Sequence, residues 1–502
     1  MIKFENVTYR YRDRDDPVLS ALTLTIEEGE SICMMGANGS GKSTFARIVA
    51  GLLTPARGRV VINGSAEHPQ PVGMLFQNPD NQMVAVTVEK EVAFGLENLG
   101  IPLVEMKRLV NETLQRFRID HLRQRLTAEL SGGEKQRVAL ASVMVLNPPI
   151  LVLDEPDSFL DENGKATLRE EMARIKAANP RLVEIRITQY PVVARMYPRL
   201  VVLDRGVVVA DDQPSRIFAD HDFCIRKGLA YRLSTGEQPG FAGLEMRSKP
   251  PGKGVEVDSV SFRNVAFNHR NGNAVLENIS FTLKAGNILG LVGPSGSGKS
   301  TLGLLACGLL RPSSGAVVYE DCSGRSVPPE DIPGRVSGLF QLPERQFFLP
   351  TCAEEIAFGP RNLGCPHDPK TVAAFFALAG LDAEKFSGRD PFTLSGGEKR
   401  RLAFAAVLSM QPRLVVFDEP TCGLDQEGVG RFIRLGRALA NMRVGLIIIS
   451  HDGGIIHTLA DRVLYLDGDG GSIQMSCREF FADARCAAVV SPVSPEDTTE
   501  QK

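Results

Sequence analysis

The sequence predicts an α/β protein made of two tandem copies of one domain, each a mostly parallel sheet core with an antiparallel β subdomain and a helical subdomain. Three observations carry that prediction. Gln77 and Gln341 stand 264 positions apart (341 − 77), as do Ser131 and Ser395 and also Asp154 and Asp418, while Lys42 and Lys299 are separated by 257. A unit has been duplicated with small insertions. Short apolar runs recur near 32–35, 150–153, 182–187 and 200–203, and again near 414–417 and 444–449. Strands that do not alternate are buried on both faces, which implies a parallel sheet between helices. Finally, 502 residues are too many for one core and enough for two.

Within each copy the elements follow the same order. Alternating segments near 2–9 and 22–27, and near 260–267 and 279–283, predict an antiparallel sheet at the start of the unit. The strand at 32–35 then runs into Gly36-Ala37-Asn38-Gly39-Ser40-Gly41-Lys42-Ser43-Thr44 and a helix over 45–52; Gly293-Pro294-Ser295-Gly296-Ser297-Gly298-Lys299-Ser300-Thr301 repeats the loop. Strand before and helix after turn a G-x-x-x-x-G-K-[ST] match into a phosphate loop. Glycine N–H groups wrap the phosphates, Lys42 and Lys299 neutralise charge, and Ser43 and Ser300 offer hydroxyls to Mg²⁺. The segments 98–129 and 362–393 read as mostly helical and form the small lobe.

Leu130-Ser131-Gly132-Gly133-Glu134 and Leu394-Ser395-Gly396-Gly397-Glu398 come next. A hydroxyl and two glycines opening a run of helix formers, 134–146 in the first copy, make a helix N-terminus that a ligand can approach closely. Unpaired N–H groups and the positive end of the helix dipole favour an anion there. The alternative is an ordinary N-capped amphipathic helix after a glycine turn. Further on, Asp154-Glu155 and Asp418-Glu419 close apolar strands, at the strand ends where open α/β sheets bind ligands. The aspartates suit a Mg²⁺ shell, and the glutamates are placed to polarise a water attacking a γ-phosphate.

Domain limits follow from composition: a first domain over 1–230, a Gly/Pro/Ser/Lys-rich linker over 231–256, a second domain over 257–484, and a tail over 485–502 expected to be disordered. The chain is 43% hydrophobic and 23% charged, with a net charge of −3. This is ordinary globular composition, with no overall electrostatic case for nucleic acid or an anionic membrane. Nine cysteines are scattered without pairing or metal-like spacing, which reads as reduced thiols. No window approaches 18 consecutive apolar residues, and the first residues lack a signal-peptide profile, so any membrane business is expected to run through other chains.

Taken together, the two phosphate loops, Gln77 and Gln341, the two Ser-Gly-Gly-Glu stretches, Asp154-Glu155 and Asp418-Glu419, the turn Ser158-Phe159-Leu160-Asp161 and the closing Ser450-His451-Asp452 resemble ATP-binding cassette ATPases, P-loop NTPases, over almost the whole chain. The resemblance implies ATP hydrolysis with Mg²⁺, held by Ser43, Gln77 and Asp154 in one copy and by Ser300, Gln341 and Asp418 in the other. It also implies head-to-tail pairing of the two domains, so that each ATP lies between one phosphate loop and the other copy's signature. One composite site then joins Lys42, Gln77, Glu155 and Gln189 with Ser395, Gly396 and Gly397. The other joins Lys299, Gln341, Glu419 and His451 with Ser131, Gly132 and Gly133. Thr188-Gln189-Tyr190 replaces the histidine turn in copy one. The resemblance places Tyr11 on adenine, with His269 at that place in copy two; either is equally readable as a strand-end side chain.

Phe76-Gln77-Asn78-Pro79-Asp80 leading to Phe94-Gly95, and Phe340-Gln341-Leu342-Pro343-Glu344 leading to Phe358-Gly359, resemble the ATPase subunits of energy-coupling factor (ECF) transporters for vitamins, cobalt or nickel. That resemblance implies a transmembrane coupling protein, a substrate-binding membrane protein and a peripheral position on the cytoplasmic face of the membrane. It attaches the docking role to the polar loop after each glutamine; the rings of Phe94 and Phe358 are expected in the core of the lobe. Two other classes compete. A soluble tandem cassette acting on the ribosome or nucleic acid is expected to carry a long charged helical linker or basic arms, and a nucleotide-binding scaffold without turnover is expected to lack Glu155 and Glu419.

Overall fold

The computed structural model describes residues 1–11, 16–63, 72–77, 79–157, 160, 162–230, 256–268, 274–341 and 343–491. They form two compact units, Met1–Arg232 with Leu424–Glu427 and, as the second, Leu233–Gly423 with Gly428–Lys502. His269, Ser158, Phe159, Asp161, nearly all of the 231–256 linker and the end of the tail lie outside the described residues.

In the first unit a three-stranded antiparallel sheet has Ile2–Tyr9 at its centre, flanked by Leu19–Ile26 and Arg57–Ile62. The main sheet has six strands in the order Val72–Leu75, Ile150–Asp154, Val183–Ile187, Ser31–Met35, Arg199–Asp204, Val207–Asp212. All neighbours are parallel except the last pair. In the second unit the antiparallel sheet is Ala274–Lys284, Ser259–Asn268, Ser314–Glu320. Its main sheet runs Val336–Leu339, Leu414–Asp418, Gly445–Ile449, Ile288–Val292, Arg462–Leu466, Ser472–Ser476, again parallel but for the last pair. The wholly buried strands Ile150–Asp154 and Leu414–Asp418 are those the apolar runs predicted. Register brings Asp154 beside Ile187 and Met34 beside the same residue. Everything that follows those strands therefore meets at one edge of the sheet.

The helical lobe of the first unit contains Val88–Asn98 and Leu103–Arg116, packed through Val92, Leu96, Val110 and Leu114 onto the helix Gly132–Met144. The second unit repeats this with Cys352–Asn362, Pro369–Leu378 and Gly396–Ser409.

Three expectations need correction. The tail does not start at 485: a helix spans Ala484–Ala487, Val490 is buried, and Ser491 N–H donates to the His451 carbonyl at 2.8 Å. At the other end, Glu256, placed in the linker, pairs with Arg413 at 3.0 Å, and Val257 is in the core. The stretch 182–187 is not an apolar run in its contacts, because Glu184 and Arg186 are both buried in the sheet. Arg186 meets Asp157 at 2.5 Å, and Glu184 accepts from Tyr197 and Ser31. Two charges remain in this interior because each has a partner. No disulfide joins the nine cysteines, and among the described residues no helix is long and apolar enough to cross a membrane.

Candidate nucleotide-binding and hydrolysis sites

Each phosphate loop leaves the end of its central strand through a glycine that no other residue can replace. Gly36 has φ 151° and a Cβ there would lie 2.1 Å from the Leu203 carbonyl oxygen; Gly293 at φ 155° would meet Leu466 in the same way. Gly39 and Gly296, at φ 80° and 81°, face open space, leaving a cradle lined by backbone. Asn38 and Ser295 are exposed on the loop, whereas Thr44 is buried beneath it. Gly41 and Gly298 then open the helices Lys42–Val49 and Lys299–Ala306 in the left-handed conformation.

The lysines curl back over their loops. Lys42 Nζ donates to the carbonyls of Gly36 (2.7 Å) and Ala37 (2.9 Å), and Lys299 Nζ to those of Gly293 (2.8 Å) and Pro294 (2.7 Å). Burial holds the Lys42 ammonium below the usual lysine range, against the pull of Glu155 and Asp154. A buried cation satisfied by carbonyls is poised to exchange them for phosphate oxygens.

Ser300 Oγ donates to Asp418 Oδ2 at 2.6 Å, and Ser43 makes the matching hydrogen bond to Asp154. Burial pushes both carboxyls up from the ordinary range, against the stabilising effect of those hydroxyls and of Lys42 and Lys299. A hydroxyl and one carboxylate are hard oxygen donors of the kind Mg²⁺ takes. Among the described residues no cluster of three or more His, Cys, Asp or Glu could hold a metal unaided. A Mg²⁺ held by the hydroxyl and carboxylate would complete its shell with substrate phosphates and water.

Gln77 is not brought to the Ser43–Asp154 pair: its amide donates to Glu155 Oε2 at 2.8 Å. Glu155 Oε1 accepts from Gln189 Nε2 at 2.5 Å, which also donates to Asn38 Oδ1 at 3.1 Å. In the second unit His451 Nε2 stands 3.7 Å from Glu419 Oε1, and Gln341 is tied through its backbone carbonyl, which accepts from Arg400 at 2.8 Å. Both glutamates occupy the left-handed region, at φ 47° and 49°, with their N–H groups bonded to Ile187 and Ile449. Non-glycine residues in that conformation cost about 1–3 kcal/mol and persist where a site requires them. Nothing in the sequence signals this strain, which aims both side chains off the strand ends.

Tyr11 reaches Thr44 Oγ1 through its hydroxyl at 3.3 Å and receives Arg47 at a similar distance. The signature serines are helix caps. Ser131 and Ser395 each accept from the N–H of the glutamate three residues on, and their own N–H groups donate back to that carboxylate at 2.8 Å. The capped-helix alternative is therefore what the local geometry shows, and it leaves Ser131, Gly132, Ser395 and Gly396 exposed, with open space beside Gly396. Gly133 is half-buried and Gly397 buried.

A family model described as ABC transporter matches residues 19–158 and 276–422. The chain belongs to the ABC transporter family. Both matched segments run from the antiparallel sheet through the phosphate loop to the end of the buried strand and the glutamate after it, Glu155 in one and Glu419 in the other, so the chain carries two cassettes of an ATP-hydrolysing family. A Methanosarcina mazei protein named "Putative ABC transporter ATP-binding protein" is 30% identical, over 96% of this chain and 91% of its own. A Bacillus subtilis protein named "Putative HMP/thiamine import ATP-binding protein YkoD" is also 30% identical, over 96% and 92%. Among solved structures, the complex of archaeal ribosomal stalk protein aP1 with the ribosome recycling factor aABCE1 matches 94% of this chain and 90% of that one, at 20% identity and a TM-score of 0.64. That likeness is one of fold.

The cassettes depart from expectation at their outer lobes. Phe94 and Phe358 are not core residues: they are 43% and 37% exposed, and Phe348, edge-on against Phe358, is exposed too, as is Phe392. In the first lobe Val84, Val86 and Leu126 are exposed as well.

Proposed function

We propose that this chain is the energising subunit of an ECF-type importer, carrying two cassettes that bind Mg²⁺·ATP between them head to tail and drive a transmembrane coupling protein with its substrate-binding membrane partner. The observation that carries the reading is the exposed apolar rim of each helical lobe, with Phe94 in one cassette and Phe358 in the other. An apolar surface at equivalent positions of both repeats suits a protein docked against apolar helices of a partner. The name of the Bacillus subtilis relative, an HMP/thiamine import protein, points the same way. So does the exposure of Ser131, Gly132, Ser395 and Gly396, as helix N-termini offered to an anion. The work is done at the cytoplasmic face of the membrane, where ATP is available.

In each site the lysine and loop amides hold the β- and γ-phosphates, the serine and aspartate hold Mg²⁺, and the glutamate orients water. Bound Mg²⁺ neutralises charge on the phosphates as it develops. The test is co-expression with membrane proteins encoded beside the gene, followed by detergent purification. Wild-type chain is expected to co-purify with them, and Phe94→Asp/Phe358→Asp to bind ATP normally but lose them. Recovery of the unaltered chain on ribosomes rather than with membrane proteins would overturn the proposal.

A further inference from the structure

The signature helix of the second cassette does more than present its N-terminus. Arg400 lies in its second turn, 5% exposed, and its guanidinium spans two motifs of the same cassette. Nη2 donates to the Gln341 carbonyl at 2.8 Å, and Nη1 donates to the Glu419 carbonyl. The Glu419 N–H is held by Ile449 at 2.9 Å and its backbone is left-handed, so Arg400 fixes the following peptide of a residue whose preceding peptide is already fixed. A planar fork of donors is what two separate carbonyls require of one side chain.

The first cassette has Gln136 at this place, 264 positions earlier. It is 2% exposed, and neither its amide nitrogen nor its oxygen has a hydrogen-bond partner among the described residues. There the signature helix is tied to the glutamine loop at its edge instead, by Lys135 to Asp80 at 2.5 Å and Gln82 to the Ala139 carbonyl at 3.5 Å. These bonds stop short of Glu155.

We propose that Arg400 is a positioning residue that locks Glu419 and Gln341 to the signature helix, so that any movement of that helix displaces the hydrolytic glutamate of its own cassette, a linkage the first cassette lacks. The proposal rests on the reading of Glu419 as the group that orients water. It adds a second, built-in difference between the sites beyond Gln189 and His451.

The test is steady-state ATPase activity of the full chain carrying Arg400→Gln, Arg400→Lys, Glu419→Gln and the double variant Arg400→Gln/Glu419→Gln. Glutamine is the residue the first cassette buries at this place, so the fold accommodates it. Arg400→Gln is expected to lower kcat about 10- to 100-fold, the scale of a small misplacement transmitted from outside the chemistry, with KM and equilibrium ATP affinity unchanged. Lysine, which reaches one carbonyl, is expected to give an intermediate kcat. In the Glu419→Gln background Arg400→Gln is expected to change nothing further, because its effect passes through Glu419. A kcat within twofold of wild type, a parallel rise in KM, or additivity with Glu419→Gln would overturn the proposal. Should Arg400→Gln fail to fold, Arg400→Lys decides alone, and a wild-type kcat from it would be the overturning result. Undiminished activity of Glu419→Gln itself would refute the assignment of Glu419 instead.

Discussion

Gln189 donates its side-chain amide to Glu155 at 2.5 Å, while Gln77 donates to the other oxygen of the same carboxylate at 2.8 Å. Two amide donors thus occupy both carboxylate oxygens that an attacking water has to approach. His451 relates to Glu419 differently. Its Nδ1 faces the Val489 carbonyl at 3.4 Å, and Nε2 stands 3.7 Å from the carboxylate, within reach of a shared water or phosphate oxygen. Losing such a donor to the transition state costs about 10²–10³ in rate. Glu419→Gln is therefore expected to abolish nearly all steady-state ATPase activity and Glu155→Gln to leave a substantial fraction, while Gln189→His should raise turnover. Equal losses from the two glutamate variants, at saturating ATP on the assembled complex, would show the two sites to be equivalent.

Asp80 follows Gln77 in the loop to which the sequence attached the docking role, yet it is paired with Lys135 of the signature helix at 2.5 Å. Reversing its charge creates a repulsion inside the cassette as well as on its surface. Asp80→Arg should lower transport and complex recovery more than ATP binding, and the swap Asp80→Arg/Lys135→Glu should restore both. A swap that rebuilds the pair but leaves the complex unformed would return the docking role to the aspartate's charge, as sequence reasoning had it.

Burial raises the Asp418 carboxyl above its unfolded value. A raised carboxyl favours the folded state only at acid pH, and that contribution is lost as pH rises through the folded pKa. At neutral pH the metal-free protein is thus holding an unfavourably buried charge. Asp418→Asn should raise the Tm of nucleotide-free protein at pH 7–8, lose that advantage in acid, and eliminate the extra stabilisation that Mg²⁺ adds to ATP. A lower Tm at neutral pH, measured by calorimetry without nucleotide, would contradict it.

What the sequence made legible is what depends on backbone geometry. Gly36, Gly39 and Gly41 stand where a phosphate cradle needs φ values or space that other residues deny, and the strands before Asp154 and Asp418 are uninterruptedly apolar. Side-chain partnerships are tertiary and left weaker traces. Phe94 reads as core by hydropathy, but its helix buries Val92, Ala93 and Leu96 and turns the ring outward. Arg400 sits in a charged run that looks solvated until its reach to two carbonyls is seen. The His269 assignment lies outside the described residues, and the Gln77 amide, given a metal role from the sequence, donates to Glu155 at 2.8 Å.

The Asp157–Arg186 pair is the clearest case of charge hidden in a strand. Both side chains are almost fully buried at 2.5 Å, and Asp157 holds the Arg186 guanidinium charged against the cost of burial. The second cassette has Thr421 and Ile448 at these positions, both buried, so the same architecture closes without ions. Removing one partner strands the other charge in the interior, which costs about 3–5 kcal/mol, whereas replacing both with residues that fit is commonly neutral or stabilising. Arg186→Ile should therefore lower the thermal midpoint of the first cassette sharply, and Asp157→Thr/Arg186→Ile should recover most of it. Asp157 is two residues beyond Glu155, and Arg186 is on the strand leading to Gln189. For that reason the double variant should keep ATP affinity but alter the rate at the first site, read in the Glu419→Gln background. If the double variant is as unstable as Arg186→Ile alone, the surrounding Glu184–Tyr197 contact needs the pair, and the two cassettes do not close their cores interchangeably.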